Sequence, residues 1–222
     1  MNGGDLKKIF WYILPFASAA VFLAVLYLAN LGPSKQSEAA THDVTLTTTV
    51  ITYLTFDITA GDTVPFGNLT PGTPIKAPAA STIASVTTNA ANGYTLGLSD
   101  AHAASSSMAH TDTTTHITKM TNGTIGTPVA WGSNTGVGAT MWTADTTPEA
   151  KWCTPAQTCT SYDDADNLYA AVPETATTAH TVTGFHASAD TSSWAFEINV
   201  PNTQKTGAYS GTITYTATAV LS

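Results

Sequence analysis

An antiparallel all-β fold follows from three features of this sequence. Apolar and hydroxylated residues alternate with period two in several stretches, threonine is abundant, and no useful helical periodicity appears after Leu31. Of the 222 residues, 43 are threonine, none is arginine, and charged residues make up 10%. Threonine is β-branched, so it favours a pleated backbone while offering a hydroxyl to the wet face. The first forty residues read as a targeting segment, which leaves enough chain for one sizeable core.

The elements follow in chain order. Lys7 and Lys8 precede an uncharged run from Ile9 to Leu31 that is long enough to span a hydrocarbon core of ~30 Å. Trp11, Tyr12 and Tyr27 sit where an aromatic belt would place them, and the lysine pair orients the N-terminus to the cytoplasm. Residues 1–31 are thus expected to form a signal/transmembrane helix, 32–43 a tether, and 44–222 an extracytoplasmic domain. Ser37-Glu38-Ala39 offers small residues of the kind a signal peptidase reads, so cleavage is the competing expectation. From Val44 to Thr59, Val44, Leu46, Val50, Leu54, Phe56 and Ile58 fall on one face, predicting one long half-buried strand or two in line. A Pro/Gly-punctuated loop follows, then a strand over 83–88, a turn at Asn92-Gly93, and a returning strand through Tyr94, Leu96 and Leu98. The Ser/Thr/Ala/Gly-rich middle, 101–138, reads as loops and short edge strands pinned by Trp131 and Trp142. Trp194, Phe196, Ile198 and Val200 then alternate with Ala195, Glu197 and Asn199. After a turn at 201–205, Tyr209, Ile213 and Tyr215 alternate with threonine and serine. These last two stretches are expected to pair antiparallel, with Leu54, Phe56, Trp194, Phe196, Ile198, Ile213 and Tyr215 in the core.

Two regions carry a family resemblance. The run Phe66-Gly67-Asn68-Leu69-Thr70-Pro71-Gly72-Thr73-Pro74, with Val86-Thr87-Thr88-Asn89 and Gly93-Tyr94-Thr95-Leu96, resembles secreted bacterial cell-surface proteins with immunoglobulin-like or WxL-like β-sandwich domains. The ending from Gly207 to Thr216 is similar to their closing strand. The resemblance implies an immunoglobulin-like sandwich, a cell-surface location, and wall or partner binding. In the last strand Tyr215-Thr216-Ala217 stands where a WxL protein carries Trp-x-Leu.

Candidate chemistry is sparse. Cys153 and Cys159 are the only cysteines, and outside the cytoplasm such a pair reads as a disulfide closing a small loop. Asp163, Asp164 and Asp166 cluster just after it, oxygen donors that would suit Ca²⁺ in an irregular segment, although no EF-hand spacing follows. His102, His110 and His116 lack the spacing of a zinc helix. No nucleophile elbow, phosphate-cradling glycine loop or Cys/His pattern is present, so an enzyme is not expected. Past Ala40, four lysines against thirteen acidic residues give −9 (4 − 13), and together with the lack of arginine this argues against nucleic-acid binding. The expected function is a structural or adhesive surface subunit, anchored in the membrane and meeting the cell envelope or neighbouring subunits. A pilin-like filament subunit and a secreted hydrolase are the alternatives.

Overall fold

The structure is a computed structural model that describes residues 44–77, 82–102, 105–146, 149–155 and 159–221. The expected transmembrane helix and tether lie outside the described residues. Among those residues no helix is long and apolar enough to cross a membrane. The chain divides into two units, 1–49 and 50–222. Of the first unit, the described residues 44–49 carry no strand.

The second unit is all-β. Its strands are β1 (Leu54–Ala60), β2 (Ile75–Lys76), β3 (Thr82–Thr88), β4 (Tyr94–Asp100), β5 (Ser106–His110), β6 (His116–Thr118) and β7 (Val129–Ala130), followed by β8 (Gly136–Ala144), β9 (Leu168–Tyr169), β10 (Thr177–Val182), β11 (His186–Asn199), β12 (Tyr209–Ser210) and β13 (Ile213–Ala219). Every named strand pair is antiparallel. The first main sheet is built around β11, which spans 14 residues. Its Asp190–Trp194 stretch pairs with β3, Glu197 and Ile198 pair with β2, and Ser192–Asn199 pair with β8 along the opposite edge; β1 lies outside β3. The second main sheet has the order β10-β4-β13. Side chains from both sheets meet in one core, where Ala84, Val86, Trp194 and Phe196 of the first join Tyr94, Leu96, Leu98 and Ala179 of the second. A single 3₁₀ turn at Ala150–Trp152 adds Trp152, whose ring meets Trp194 edge-on at 5.6 Å.

Of the expected core residues, Trp194 and Phe196 are buried in this cluster, with Leu54, Phe56, Ile213 and Tyr215 packed partly buried against it. Ile198 is fully buried in a second cluster with Ile117, Val137 and Val200.

Four expectations are corrected. The long strand from Val44 begins only at Leu54; Val44, Leu46 and Val50 share its period but are exposed. The Asn92-Gly93 turn does not close a hairpin, because β3 and β4 belong to different sheets. It is an arch across the core, and Gly93 is required there. Its φ is +80°, and a Cβ on it would sit 2.0 Å from the Val182 carbonyl oxygen. Likewise β11 and β13 do not pair; they face one another from opposite sheets, with Trp194 and Tyr215 edge-on at 5.8 Å. Finally, the second face of β11 is not wet, since Ala195, Glu197 and Asn199 are all buried.

Candidate functional site

Two kinds of surface are built from the strands. The first is hydroxylated. On β13, Thr214, Thr216 and Thr218 are exposed while Ile213, Tyr215 and Ala217 face the core. Thr214 lies opposite Ser99 and Thr218 opposite Thr95, which in turn pairs with Thr181 on β10. The outer face of the second sheet is therefore a field of hydroxyls held at strand spacing. A similar field lies on the first sheet, where Thr55 of β1 opposes Thr87 and Asp57 opposes Ser85.

The second surface is apolar. A cavity of about 490 Å³ opens beside Ile58, Phe196, Ile213 and Tyr215. Another of about 760 Å³ runs over Ile117, Ile198 and Val200 between the 64–71 loop and residues 204–209. Val64, Phe66, Met108 and Tyr209 line both, so the two are neighbours, named together the β11 channel. Its floor includes the alternating inward row of β11 and the residue just beyond it, Phe196, Ile198 and Val200, all buried, and its other walls come from β5, β6, β12 and β13 as well as loops.

Cys153 and Cys159 form a disulfide. At the base of that excursion Glu149 receives the Lys151 ammonium and the Thr181 amide, each at 2.7 Å, with the His180 ring nearby at 3.7 Å. Burial works against the Glu149 charge, but these partners outweigh it and bring the carboxyl down to about 2. Beyond the disulfide lie Asp163, Asp164 and Asp166, the candidate calcium ligands of an acidic loop. Among the described residues no group of three or more His, Cys, Asp or Glu side chains converges on a metal position. Instead Asp164 is used up in local turns, accepting from the Asp166 amide at 3.0 Å and the Thr160 amide at 3.1 Å. Asp163 accepts from the Ser161 hydroxyl, and Lys76 ties down the 163 and 164 carbonyls at 2.8 and 3.1 Å.

Lys76 also faces Glu197, its partner across the β2–β11 ladder. Glu197 lies beneath an aromatic lid made by Trp131 and Tyr169, whose rings meet edge-on at 5.4 Å. Gly138, directly opposite Glu197 on β8, makes room for that lid: a Cβ there would meet the Trp131 ring at 2.9 Å. Burial raises the Glu197 carboxyl above the usual range, against the pull of Lys76 and Tyr169. Sequence reading placed this residue on the wet face. The signal it lacked was the long-range contact from 131 and 169.

His102 and His110 serve local structure. His102 and Ser107 both bond Asp100, at 3.2 and 2.6 Å, so the carboxylate sits between them and no serine–histidine contact is made. His110 packs on Tyr209 and reaches the Thr206 carbonyl at 3.2 Å. No family model, curated protein or solved structure matches this chain.

Proposed function

We propose that this chain is a structural or adhesive cell-surface protein, an immunoglobulin-like β-sandwich held outside the membrane by its N-terminal apolar segment. The observation that carries the reading is the Cys153–Cys159 disulfide in a domain that follows an apolar run of spanning length. Disulfides persist where the surroundings are oxidising, and the positive-inside rule puts everything after Leu31 on that side. The strand faces support a binding role over a catalytic one. They present rows of threonine hydroxyls and an apolar channel, with few charges to focus on a substrate.

Cell fractionation tests it. Full-length protein should stay with membranes through alkaline extraction, and an external amine-reactive label that cannot cross membranes should reach Lys205, which is exposed. A soluble product starting near Ala40 would refute the anchor, and a label that reaches only lysed cells would refute the orientation.

A further inference from the structure

A further cavity, of about 550 Å³, lies where the Ser/Thr/Ala/Gly-rich middle of the chain meets residues 171–177. Its lining includes the buried Lys119, Ile125 and Val172 and the exposed Ser105, Thr118 and Thr177. The enclosed part thus sets one cationic side chain among aliphatic walls, with hydroxyl-bearing residues toward the solvent. Lys119 is placed there by its strand. It follows β6, two positions after Ile117, whose side chain is buried in the second core cluster, so a period of two carries Lys119 to the same inward side. Met120 goes the other way and packs with Trp131 and Tyr169. The backbone is fixed on both sides. The Lys119 amide donates to the Ser105 carbonyl at 3.1 Å, and the Met120 amide to the Val137 carbonyl at 2.9 Å. Gly136, with φ of +98°, permits that close approach: a Cβ on it would sit 2.4 Å from the Lys119 carbonyl oxygen.

Past Ala40 the chain has four lysines, and three are matched inside the fold. Lys76 donates to the 163 and 164 carbonyls, Lys151 pairs with Glu149, and Lys205 pairs with Asp112. Lys119 differs. It is 8% exposed, its Nζ is buried, and among the described residues no hydrogen-bond partner meets that atom. Asp100 is tied to the pocket wall, its amide donating to the Pro173 carbonyl at 2.8 Å, but its carboxylate is spent elsewhere. That carboxylate accepts from the Ser107 hydroxyl at 2.6 Å and the His102 amide at 2.9 Å. A buried ammonium with no counter-charge loses its hydration and recovers nothing, whereas an apolar side chain at the same inward position would carry no such cost. An anion entering the pocket supplies the missing charge.

We propose that this pocket binds a ligand through a single carboxylate, with the Lys119 ammonium as its counter-ion. One ammonium balances one negative charge. A phosphate dianion would bring excess charge into a chain whose balance past Ala40 is already −9 (4 − 13), which favours the singly charged group. The volume suits a ligand of small-molecule size. Two sources share this chemistry: a sugar acid, whose hydroxyls match Ser105, Thr118 and Thr177, and an aliphatic acid, whose tail matches Ile125 and Val172. The inference gives the binding role of the surface protein a ligand class, and it rests on that reading only for where the ligand is met.

The test uses the full chain in mild detergent, titrated calorimetrically with glucuronate and butyrate and with glucose and butanol as their neutral counterparts. At least one acid should bind, and its neutral counterpart should not. Tighter glucuronate binding identifies a sugar acid, and tighter butyrate binding an aliphatic one. Binding of neither acid over the millimolar range, or equal binding of the neutral counterpart, would overturn the proposal. Lys119→Met should weaken acid binding at least tenfold while holding or raising the melting temperature, because methionine fills the same inward position without a charge. Retained binding would overturn the proposal. So would a lowered melting temperature, which would mean that the ammonium already has a partner within the fold. Ser105→Asp gives a second arm at an exposed position: its added negative charge should weaken binding without moving the melting curve, and unchanged affinity would overturn the site. Alkaline extraction of membranes separates the two readings. Protein that is extracted yet binds the acid refutes the anchor alone, and protein that resists extraction without binding refutes the pocket alone.

Discussion

Phe196→Ala is the sharpest probe of how the two sheets are joined. Phe196 is buried in the shared core beside Trp194 and also forms part of the channel floor. Removing a buried phenylalanine forfeits a transfer term of ~1.5–3 kcal/mol. A cavity term normally brings the total to ~3–5 kcal/mol. Here the space left behind opens onto the channel, so water and the flexible Met108 side chain can enter it and the cavity term shrinks. The expected loss is therefore about 3 kcal/mol, at the low end of that range. Urea unfolding of the full chain in mild detergent, followed by tryptophan fluorescence, measures it, since all five tryptophans are kept. Thr214→Ala on the exposed face of β13 serves as the control and should cost under ~0.5 kcal/mol. A loss below ~1 kcal/mol for Phe196→Ala, at unchanged denaturant slope, would mean that the inward face of β11 is misassigned.

Other perturbations read other parts of the structure. Replacing Cys153 and Cys159 together by serine should cost ~2 kcal/mol, because the chain-entropy gain from so short a loop is small; calorimetry that shows more than ~4 would make the excursion a pillar of the fold. Glu197→Gln tests the buried acid. A carboxyl raised above its ordinary 4.5 loses stability as pH climbs from that value toward the raised one, so the glutamine form should gain at pH 7 and lose its advantage below pH 4.5; equal stability at both pH values would refute the burial effect. Glu149 has the opposite sign. Its contribution is full above 4.5 and lost as pH falls toward about 2, so Glu149→Gln should flatten the acid limb of the stability curve, and an unchanged limb would refute the pairing. Gly93→Ala should destabilise by ~2 kcal/mol or more, combining left-handed backbone strain with the approach to Val182; a neutral melting curve would show that the arch can yield.

The all-β class was legible because the signal behind it is local. Period two is written into neighbouring residues such as Trp194, Phe196 and Ile198, and no helical period competes with it. What stayed hidden were matters of partnership. Val44, Leu46 and Val50 carry the same alternation as Leu54, Phe56 and Ile58, yet one stretch is exposed and the other packs on the core. Alternation tells which face of a strand is apolar and is silent on whether anything lies opposite it. The Asn92-Gly93 turn was visible for the same local reason, since a positive φ needs glycine whether the chain folds back beside itself or arches across to the other sheet. Choosing between hairpin and arch depends on β11, a hundred residues away in sequence. Glu197 was misplaced by the same route, because its burial depends on Trp131 and Tyr169 reaching over Gly138. The aspartate cluster after Cys159 had the composition of a cation site, but Asx-type turns use the same residues, and Asp164 spends its oxygens on backbone amides.

The surface chemistry constrains how such a protein can hold its neighbours. With charged residues at 10% and no arginine, it cannot rely on the bidentate ion pairs that commonly set register between subunits. Hydroxyls keep the strand faces wet but give weak, undirected contacts, because each one already bonds water that a partner must replace. Backbone amides and apolar side chains are what remain. The same logic explains why the hydroxylated faces can stay exposed over so wide an area. Threonine rows keep a β-sheet soluble without offering an apolar patch.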